Sequence, residues 1–331
     1  MRAIYFEKPG DPLRVASMPD PEPGEGEMVI AVRRCGICGS DVHGLYPEQC
    51  VLGHEYAGEI VAIGKGVEGY RIGDPIAAMP GAGCGRCATC IRGAFLLCEL
   101  GMKTYIGGLA DFVRVSASTA IHLPQSLSMS DGALVEPMAV GLHAVTLAKI
   151  HTGARVQIVG AGPIGLSVAY WARRLGAGRI VTMSRSRRRA DMALTMGADS
   201  FVTSGPDEVE DVRKALGGPP QFVFETIGVV GGLQQSIDHV AMCGTVVSVG
   251  LCLQPDPVSA MISTFKQVTV QFSFAYTLGE FEYCANTLDK GHVDPKRMIS
   301  DTIALEAVPE MLERMRAGNA NTLKVQVDLS L

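Results

Sequence analysis

The alternation of strand-like and helix-like segments beyond residue 150 constrains the fold of this chain more than any other feature. Four short apolar runs are separated by segments of helical character. The runs occupy residues 155–159, 179–183, 221–225 and 245–250. Strands that alternate with helices of such lengths are typical of a doubly wound parallel sheet. The sequence therefore predicts an α/β domain in this part of the chain.

A glycine-rich turn, GAGPIG at 160–165, follows the first of these runs directly. A G-x-G-x-x-G pattern is a weak signal alone, and a simple structural turn is the alternative. Here it stands between a predicted strand and a predicted helix, which is the context that a dinucleotide-binding turn requires. Its glycines permit a tight turn and a close approach to a pyrophosphate at the helix N-terminus. The predicted dinucleotide-binding residues are Gly160, Gly162, Pro163, Ile164 and Gly165.

The end of the next predicted strand indicates which dinucleotide is bound. NAD-dependent enzymes place an acidic residue about 20 residues beyond the glycine turn, where it holds the ribose hydroxyls. The aligned position here is Ser184, and Arg185 and Arg187–Arg189 follow it. The missing carboxylate removes a repulsion against a 2′-phosphate, and arginine can bind phosphate bidentately. We predict that Ser184, Arg185 and Arg189 select NADP(H) over NAD(H); the alternative is a basic, solvent-exposed helix start.

Residues 1 to 135 have a different pattern, in which short strand-like runs alternate with glycine and proline. The run at 28–38 alternates apolar and polar residues, and the run at 55–67 carries β-branched residues between glycines. Both patterns are typical of strands. We therefore expect an all-β, barrel-like lobe at the N-terminal end. A helix is predicted at 131–150, with Pro137 near its start or at a break.

Four of the ten cysteines lie close together with the spacing C-x2-C-x2-C-x7-C; they are Cys84, Cys87, Cys90 and Cys98. Thiolates at this spacing can surround one tetrahedral cation within a single loop, so we predict a closed structural zinc site. An iron–sulfur cluster is disfavoured by the last gap and by the lack of a second set of four. Unrelated buried cysteines are the other alternative.

Disulfides are not expected in this chain. The N-terminal sequence MRAIYFEKPG has no apolar signal core, so we expect a cytoplasmic protein whose thiols stay reduced. A chain of 331 residues is also long enough to build its core without covalent links.

Further residues that can bind a metal are scattered along the chain: Cys38, His54, Glu55 and Glu136. Three protein ligands with one open position form a catalytic zinc site, which polarises an oxygen atom. Each residue alone is weak evidence, because an isolated cysteine is usually a core residue and a His–Glu pair usually lies in a loop. Residue types and spacing alone therefore leave this second site open.

Taken in order, these motifs resemble those of the zinc-dependent medium-chain dehydrogenases, which include alcohol, polyol and threonine dehydrogenases. The resemblance covers most of the chain. The matching segments are CGICGSDVH (35–43), GHEYAGEIVAIG (53–64), the four-cysteine loop, LVEPMAVGLHA (134–144) and GAGPIG (160–165).

The resemblance implies a division into two domains of the α/β class. A GroES-like β-barrel catalytic domain would comprise residues 1–138 and 281–331, because the C-terminal tail returns to the first lobe. A Rossmann domain with the doubly wound parallel sheet would comprise residues 139–280. Members of the family form dimers and tetramers through their Rossmann domains, so the resemblance implies a homodimer or homotetramer.

The resemblance also implies two zinc ions per chain, one structural and one catalytic. Cys38 and His54 match two zinc ligands of the family. Glu55 matches a carboxylate that binds zinc in polyol-type members, and Glu136 matches the position of a third ligand in alcohol dehydrogenases. We expect these two carboxylates to exchange at the metal.

Three residues beside Cys38 receive roles from the same resemblance. Ser40 would form a hydrogen bond with the substrate oxygen, and His43 would end a proton relay to solvent. Asp41 would orient a zinc-binding histidine. The alternatives are a turn hydroxyl for Ser40 and an ordinary surface histidine for His43.

The implied reaction is reversible hydride transfer between a nicotinamide and an alcohol or carbonyl. LVEP near Glu136 resembles the polyol branch. Polyol-type members, however, carry an Arg–aromatic pair where the segment 270–276 places Ser273. Phe272, Phe274 and Tyr276 lead us to expect a hydrophobic secondary alcohol or its ketone. The alternatives are an NAD-dependent polyol or threonine-type dehydrogenase, a zinc-free quinone reductase, and a non-enzymatic binding protein.

Composition and charge disfavour several other classes of protein. Hydrophobic residues make up 47% of the chain and charged residues 19%, which argues against disorder. We expect no transmembrane helix, because no apolar stretch reaches about 18 residues without charges or breakers. The net charge of −5 offers no basic surface for nucleic acid or an anionic membrane. The expected partner is a small alcohol or ketone.

Overall fold

The computed structural model describes residues 1–8, 11–45, 47–290 and 294–331. The described chain forms two units. The first combines Met1–Glu136 with Thr277–Leu331, and the second contains Pro137–Tyr276. The sequence predicts these boundaries after residues 138 and 280. Both ends of the chain thus belong to one unit, and the second unit is an insert between them.

Strands dominate the first unit, and strands alternate with helices in the second. The strands of the described residues are β1 (Arg2–Phe6), β2 (Arg14–Ser17), β3 (Glu27–Gly36), β4 (Cys50–Val51), β5 (Glu55–Ile63), β6 (Pro75–Ala78), β7 (Gly81–Ala82), β8 (Lys103–Thr104), β9 (Phe112–Ser116), β10 (Ala120–His122), β11 (Arg155–Val159), β12 (Arg179–Ser184), β13 (Ser200–Thr203), β14 (Phe222–Glu225), β15 (Thr245–Ser248), β16 (Thr269–Phe272), β17 (Ile299–Ile303) and β18 (Lys324–Asp328). The α-helices are α1 (Gly39–His43), α2 (Ala88–Ile91), α3 (Met129–Ala148), α4 (Pro163–Arg174), α5 (Ala190–Thr195), α6 (Glu208–Leu216), α7 (Gly232–His239), α8 (Ala260–Lys266), α9 (Leu278–Leu288) and α10 (Val308–Arg316).

The first unit is built on a seven-stranded sheet with β3 near its centre. The strand order is β10-β6-β5-β3-β18-β17, and β9 also pairs with β3. β3 is antiparallel to β5 along one edge, and to β9 and β18 along the other. Its apolar residues Met28 and Ile30 belong to a buried core that includes Tyr56 and Val325. The C-terminal strand therefore completes the sheet that the N-terminal segment begins.

The second unit contains a six-stranded sheet in the order β13-β12-β11-β14-β15-β16. All neighbouring strands are parallel. Val156, Ile158, Val181 and Val223 are fully buried, as expected for β-branched residues of a sheet covered on both faces. The order reverses between β11 and β14, which confirms the predicted doubly wound sheet. Ligands of such sheets bind beyond the carboxyl ends of the strands at this reversal.

The longest described helix, α3, runs without interruption through Pro137. The sequence predicts a start or a break there, because proline removes one backbone hydrogen bond at a cost of about 3 kcal/mol. Residues 131–139 are all buried, and packing of this apolar segment outweighs the lost bond. Neither α3 nor any other helix in the described ranges combines the length and apolar composition needed to cross a membrane.

A buried carboxylate ties the start of β3 to neighbouring strands. Glu27 accepts hydrogen bonds from the Gly24 N–H at 2.9 Å and from the Tyr105 hydroxyl at 2.8 Å. It also forms ion pairs with Lys103 and Arg114. Burial opposes the charged form, but the bonds from Lys103, Gly24 and Tyr105 outweigh it and lower the pKa of Glu27. The carboxylate is thus held in its ionised form.

Glu27→Gln is expected to lower the free energy of unfolding by about 2 kcal/mol at pH 7, because charge-assisted hydrogen bonds are lost. A lowered folded-state pKa stabilises the fold above the unfolded pKa of about 4.3, and this stabilisation disappears as the pH falls through the folded value. The difference from wild type should therefore shrink in acid. Urea unfolding at a series of pH values measures it.

Glu59→Gln is the matched control. Glu59 bonds Arg33 at 2.6 Å, and both side chains are about two-fifths exposed, so its loss should cost less than about 1 kcal/mol. Equal losses for the two variants at pH 7 would contradict the role given to Glu27.

Candidate active site

The site forms where β3 and β5 end side by side. Gly36, the last residue of β3, pairs with Glu55, the first residue of β5. A Cβ atom at position 36 would lie 1.9 Å from Glu55 Oε2, so only glycine leaves room for this carboxylate. The chain then turns from β3 into α1, and Cys38 stands at the N-terminal end of that helix.

The structure brings three of the four scattered residues together. The ligand atoms of Cys38, His54 and Glu55 all lie within 4.8 Å of one another. Thiolate, imidazole and carboxylate are the three ligand types that zinc takes in catalytic sites. Glu136 is buried on α3 and is not part of this group, although its charge affects the pKa of His54.

Sequence reasoning missed a buried lysine behind this group. Lys324, the first residue of β18, forms an ion pair with Glu55 and donates a hydrogen bond to the Ile37 carbonyl at 3.0 Å. The side chains of Lys324 and Glu55 are only 2% and 1% exposed. The sequence around Lys324 does not signal this contact, because the burial of β18 is visible only in the structure.

The site concentrates negative charge. Burial opposes a charge on His54, but the charges of Cys38, Asp41 and Glu136 outweigh it and raise the pKa of the imidazole well above its usual range. Buried charges are costly unless they are paired or bind a metal. The donor set and its charge therefore fit a divalent cation such as zinc.

Asp41 fixes the backbone at the first of the three ligands. Its side chain is fully buried, and its Oδ2 accepts a hydrogen bond from the Cys38 N–H at 2.7 Å. This bond joins the first turn of α1 to the backbone of Cys38, the residue that precedes the helix. The geometry thus links Asp41 to the cysteine as well as, through its charge, to His54.

Ser40 and His43 lie three residues apart on α1, so they share one side of the helix. The Ser40 Oγ atom is buried and has no hydrogen-bond partner among the described residues. His43 is exposed. It borders a surface groove whose other lining residues are Phe6, Asp11, Pro12, Val42, Gly44, Glu313, Met315 and Arg316. One hydroxyl is therefore available for a ligand, and the imidazole reaches solvent.

The four cysteines of the loop also converge. The Sγ atoms of Cys84, Cys87, Cys90 and Cys98 lie within 4.8 Å of one another. A Cβ atom on Gly83 would lie 2.4 Å from the Cys90 sulfur, so glycine is required there. The Cys84 N–H donates to Cys98 Sγ at 3.3 Å, and the Cys87 N–H donates to Cys84 Sγ at 3.4 Å.

The thiols of this loop do not ionise alike. The Thr89 hydroxyl and the Cys90 N–H lower the pKa of Cys87 to about 5. Burial and the neighbouring Cys87 raise the pKa of Cys90 to about 12. A cation that binds all four sulfurs would hold all of them as thiolates, and four sulfurs around one centre match a closed structural zinc site.

The glycine turn has the geometry that close approach of a ligand requires. Gly160 adopts a left-handed φ of 111°. A Cβ on Gly165 would lie 2.1 Å from the Gly160 carbonyl oxygen. α4 begins at Pro163, directly after Gly162. The N-terminus of α4 therefore stands beyond the carboxyl end of β11, at the reversal of strand order.

One of the three predicted cofactor-selecting residues contacts this turn. Ser184 is the last residue of β12, and Arg185 is exposed just beyond it. Arg189 donates from Nη1 to the Ala161 carbonyl at 3.3 Å, which places its guanidinium at the glycine turn. Arg187 instead lies over the Phe201 ring at 5.8 Å.

The segment 270–276, considered for substrate binding, contains both buried and exposed side chains. Tyr276 and Ser273 are buried, and Ser273 Oγ has no partner among the described residues. Phe272 and Phe274 are 68% and 53% exposed. The three aromatic rings therefore do not share one buried environment within the second unit.

Two family models match the chain. The alcohol dehydrogenase GroES-like domain matches residues 24–125, and the zinc-binding dehydrogenase domain matches residues 163–290. The first match confirms the GroES-like character of the β-rich lobe. The second covers most of the doubly wound unit and the start of the tail.

Known proteins resemble this chain over almost its whole length. The sorbitol dehydrogenase of Bacillus subtilis strain 168 is 30% identical, over 95% of this chain and 94% of that protein. The crystal structure of 2R,3R-butanediol dehydrogenase from Bacillus subtilis is 27% identical and covers 99% of both chains, with a TM-score of 0.87. A protein assigned as a zinc-binding dehydrogenase of Sinorhizobium meliloti 1021, bound to NADP, is 30% identical over 99% of this chain and 98% of its own, with a TM-score of 0.86.

Cys87→Ser is expected to remove one zinc ion per chain and to lower the thermal midpoint of unfolding, because a structural zinc site contributes directly to folding. Metal content by atomic emission and unfolding by calorimetry measure the two effects. Cys243→Ser is the matched control, since that thiol is exposed and lies outside both metal groups. The same zinc content in both variants would contradict a metal site in the loop.

Proposed function

The chain belongs to the zinc-dependent medium-chain dehydrogenase/reductase family, and on that premise we propose that it transfers hydride reversibly between NADP(H) and a hydrophobic secondary alcohol or its ketone. Membership makes the protein an oxidoreductase of the alcohol and polyol dehydrogenase type. The preferred cofactor and the substrate are the proposed parts.

One observation carries the proposal. The ligand atoms of Cys38, His54 and Glu55 converge, and the helix that follows Cys38 bears the buried hydroxyl of Ser40, which has no hydrogen-bond partner among the described residues. A retired site need not keep such a group, which disfavours a non-enzymatic binding protein. A zinc-free quinone reductase would need neither the ligand group nor the cysteine loop.

The residues of the chain divide the work of the reaction. Bound zinc would supply a Lewis acid that stabilises negative charge on the substrate oxygen. Ser40 would hold that oxygen by a hydrogen bond and pass its proton toward His43, which exchanges protons with solvent. The glycine turn at 160–165 would hold the cofactor pyrophosphate at the N-terminus of α4.

We propose that Glu55 and Glu136 exchange as the third zinc ligand. Glu55 belongs to the converging group, yet its carboxylate also pairs with Lys324. When Glu55 turns fully toward the lysine, Glu136 would complete the set. Both carboxylates are buried, and a buried charge is costly unless it is paired or binds a metal, which supports such an exchange.

The cofactor preference is supported by charge. Ser184 offers no carboxylate to repel a 2′-phosphate. Arg189 contacts the turn with a cationic side chain, and Arg185 follows Ser184 directly. The relative from Sinorhizobium meliloti binds NADP. Arg187 is left out of the proposed phosphate site because it stacks on Phe201.

A second candidate is an NAD-dependent polyol dehydrogenase. The similarity of the chain to the sorbitol dehydrogenase of Bacillus subtilis favours this candidate. Ser273 argues against it, because it stands where polyol-type members carry an arginine. Ser184 also argues against it, because it stands where NAD-dependent enzymes carry an acidic residue. A butanediol dehydrogenase of the same fold acts, by its name, on a small diol.

We propose a homodimer or homotetramer that resides in the cytoplasm. Strand β16 ends the parallel sheet with one edge unpaired within the described chain. Phe272, its last residue, and Phe274, two residues further on, are exposed. Such an edge is favourable for association with another copy. None of the ten cysteines forms a disulfide in the structure, which is typical of a reducing compartment.

The deciding experiment is a screen of NADPH oxidation with ketones, aldehydes and ketoses, run in parallel with NADH. Apolar ketones with NADPH should give the highest kcat/KM, and removal of zinc by a chelator should abolish turnover. Turnover of ketoses with NADH alone would favour the polyol alternative. No turnover, in a chain that binds a single zinc ion, would favour a binding protein.

Ser184→Asp is expected to lower the ratio of kcat/KM for NADPH to that for NADH at least tenfold, about 1.4 kcal/mol, because the new carboxylate repels the 2′-phosphate. Ser184→Asn, which has the same shape without the charge, is the control and should change the ratio far less. Steady-state kinetics with both cofactors measure the effect. An unchanged ratio in the aspartate variant would overturn the cofactor assignment.

A further inference from the structure

Helix α1 is too short to satisfy its own backbone. It has five residues, Gly39–His43, and the last carbonyl groups of any helix lack partners inside it. The Ser40 carbonyl accepts hydrogen bonds from the Gly44 and Leu45 N–H groups, where Gly44 adopts a left-handed φ of 67°. The next two carbonyls are those of Asp41 and Val42, at the C-terminal end of the helix.

Arg316 donates hydrogen bonds to both of these carbonyls. Its Nε donates to the Val42 carbonyl at 2.6 Å, and its Nη2 donates to the Asp41 carbonyl at 3.3 Å. A cation at this place also interacts favourably with the partial negative charge at a helix C-terminus. The guanidinium therefore caps α1 by both hydrogen bonding and charge.

The arginine is held in place by its own helix. Arg316 ends α10, whose Val308, Met311 and Leu312 lie in the same buried core as Val42. The contact spans 274 residues of sequence. Arg314, in the same turn of α10, makes no hydrogen bond to α1 in the part of the chain that the structure describes, so the cap depends on one residue.

A continuous path joins the cap to the metal ligands. Arg316 binds the Asp41 carbonyl, and the Asp41 carboxylate accepts the hydrogen bond from the Cys38 N–H. The same helix carries the Ser40 hydroxyl. A shift of α1 by a fraction of an ångström would therefore move both the thiolate and the hydroxyl.

We propose that Arg316 is a positioning residue for the catalytic centre: by capping α1, it fixes the Cys38 sulfur and the Ser40 hydroxyl relative to His54 and Glu55. This inference rests on the proposed function, because it requires Cys38 to bind the catalytic zinc. Arg316 touches neither substrate nor metal and acts through the helix alone.

The test compares Arg316→Met and Arg316→Lys with Arg314→Met in the full-length, zinc-loaded protein. Release of zinc to a colorimetric chelator is followed over time, and total zinc and the thermal midpoint are measured on the same samples. Methionine keeps the apolar stem of the side chain and removes both donors. Arg314→Met removes a cation from the same turn and leaves the cap intact.

Arg316→Met should release one zinc ion about 10- to 100-fold faster than wild type, as variants of residues that support metal ligands do. The second zinc ion, in the cysteine loop, should be released at the wild-type rate, and kcat should fall more than KM rises. Arg316→Lys should show the same changes in zinc release and kcat, but smaller ones. This variant replaces Arg316→Met in the test if the methionine variant does not fold. Arg314→Met should behave as wild type.

Two results would contradict different claims. If the wild-type chain binds one zinc ion only, the proposed function fails, and the role of Arg316 fails with it. If wild type binds two, and Arg316→Met and Arg316→Lys release both at the rate of Arg314→Met, the role of Arg316 alone is overturned. Cobalt in place of the catalytic zinc gives a second readout, since its visible spectrum should change in the Arg316 variants and stay constant in Arg314→Met.

Discussion

The meeting of three strands at Gly36 is the constraint on which the site depends. β3 pairs there with β5 on one edge and with β18 on the other, so Gly36 faces both Glu55 and Gln326. The absence of a side chain at this position leaves space for the Glu55 carboxylate and for the end of the Lys324 side chain. A buried ion pair thus crosses the central strand directly behind Cys38 and His54. Any larger residue at position 36 would displace the carboxylate and disturb the ligand group with it.

This arrangement determines the electrostatic character of the site. The buried acids around Cys38 outnumber the single buried lysine, and burial raises the cost of every unpaired charge. Lys324 offsets the charge of Glu55, with which it forms an ion pair. The remaining negative charge falls on Cys38, Asp41 and Glu136, which together raise the pKa of His54. A bound dication would neutralise this excess and return the imidazole to the neutral form in which histidine binds metal.

What the sequence could predict follows from how far apart the partners lie along the chain. The glycine turn, β11 and α4 are contiguous, and so is the cysteine loop, so local patterns were enough to predict both. Cys38, His54 and Glu136 lie on separate elements, and only their resemblance to a family connected them. Lys324 and Arg316 could not be predicted, because their partners lie 287 and 274 residues away. Pro137 shows the converse error: the local rule indicated a break, and burial of the surrounding turn overrode it.

The two metal groups consequently differ in how they depend on the rest of the fold. The cysteine loop collects its four sulfurs within residues 84–98, so closing it costs little chain entropy. The second group lies within residues 38–55, but β18 and α10 of the C-terminal segment contribute contacts around it: Lys324 pairs with Glu55, and Arg316 bonds the end of α1. Contacts of such sequence separation form late, because the entropy of closing the loop must be overcome first. The C-terminal segment therefore supports candidate ligands that the N-terminal segment provides, and these supporting contacts, unlike the cysteine loop, close loops that contain the whole second unit.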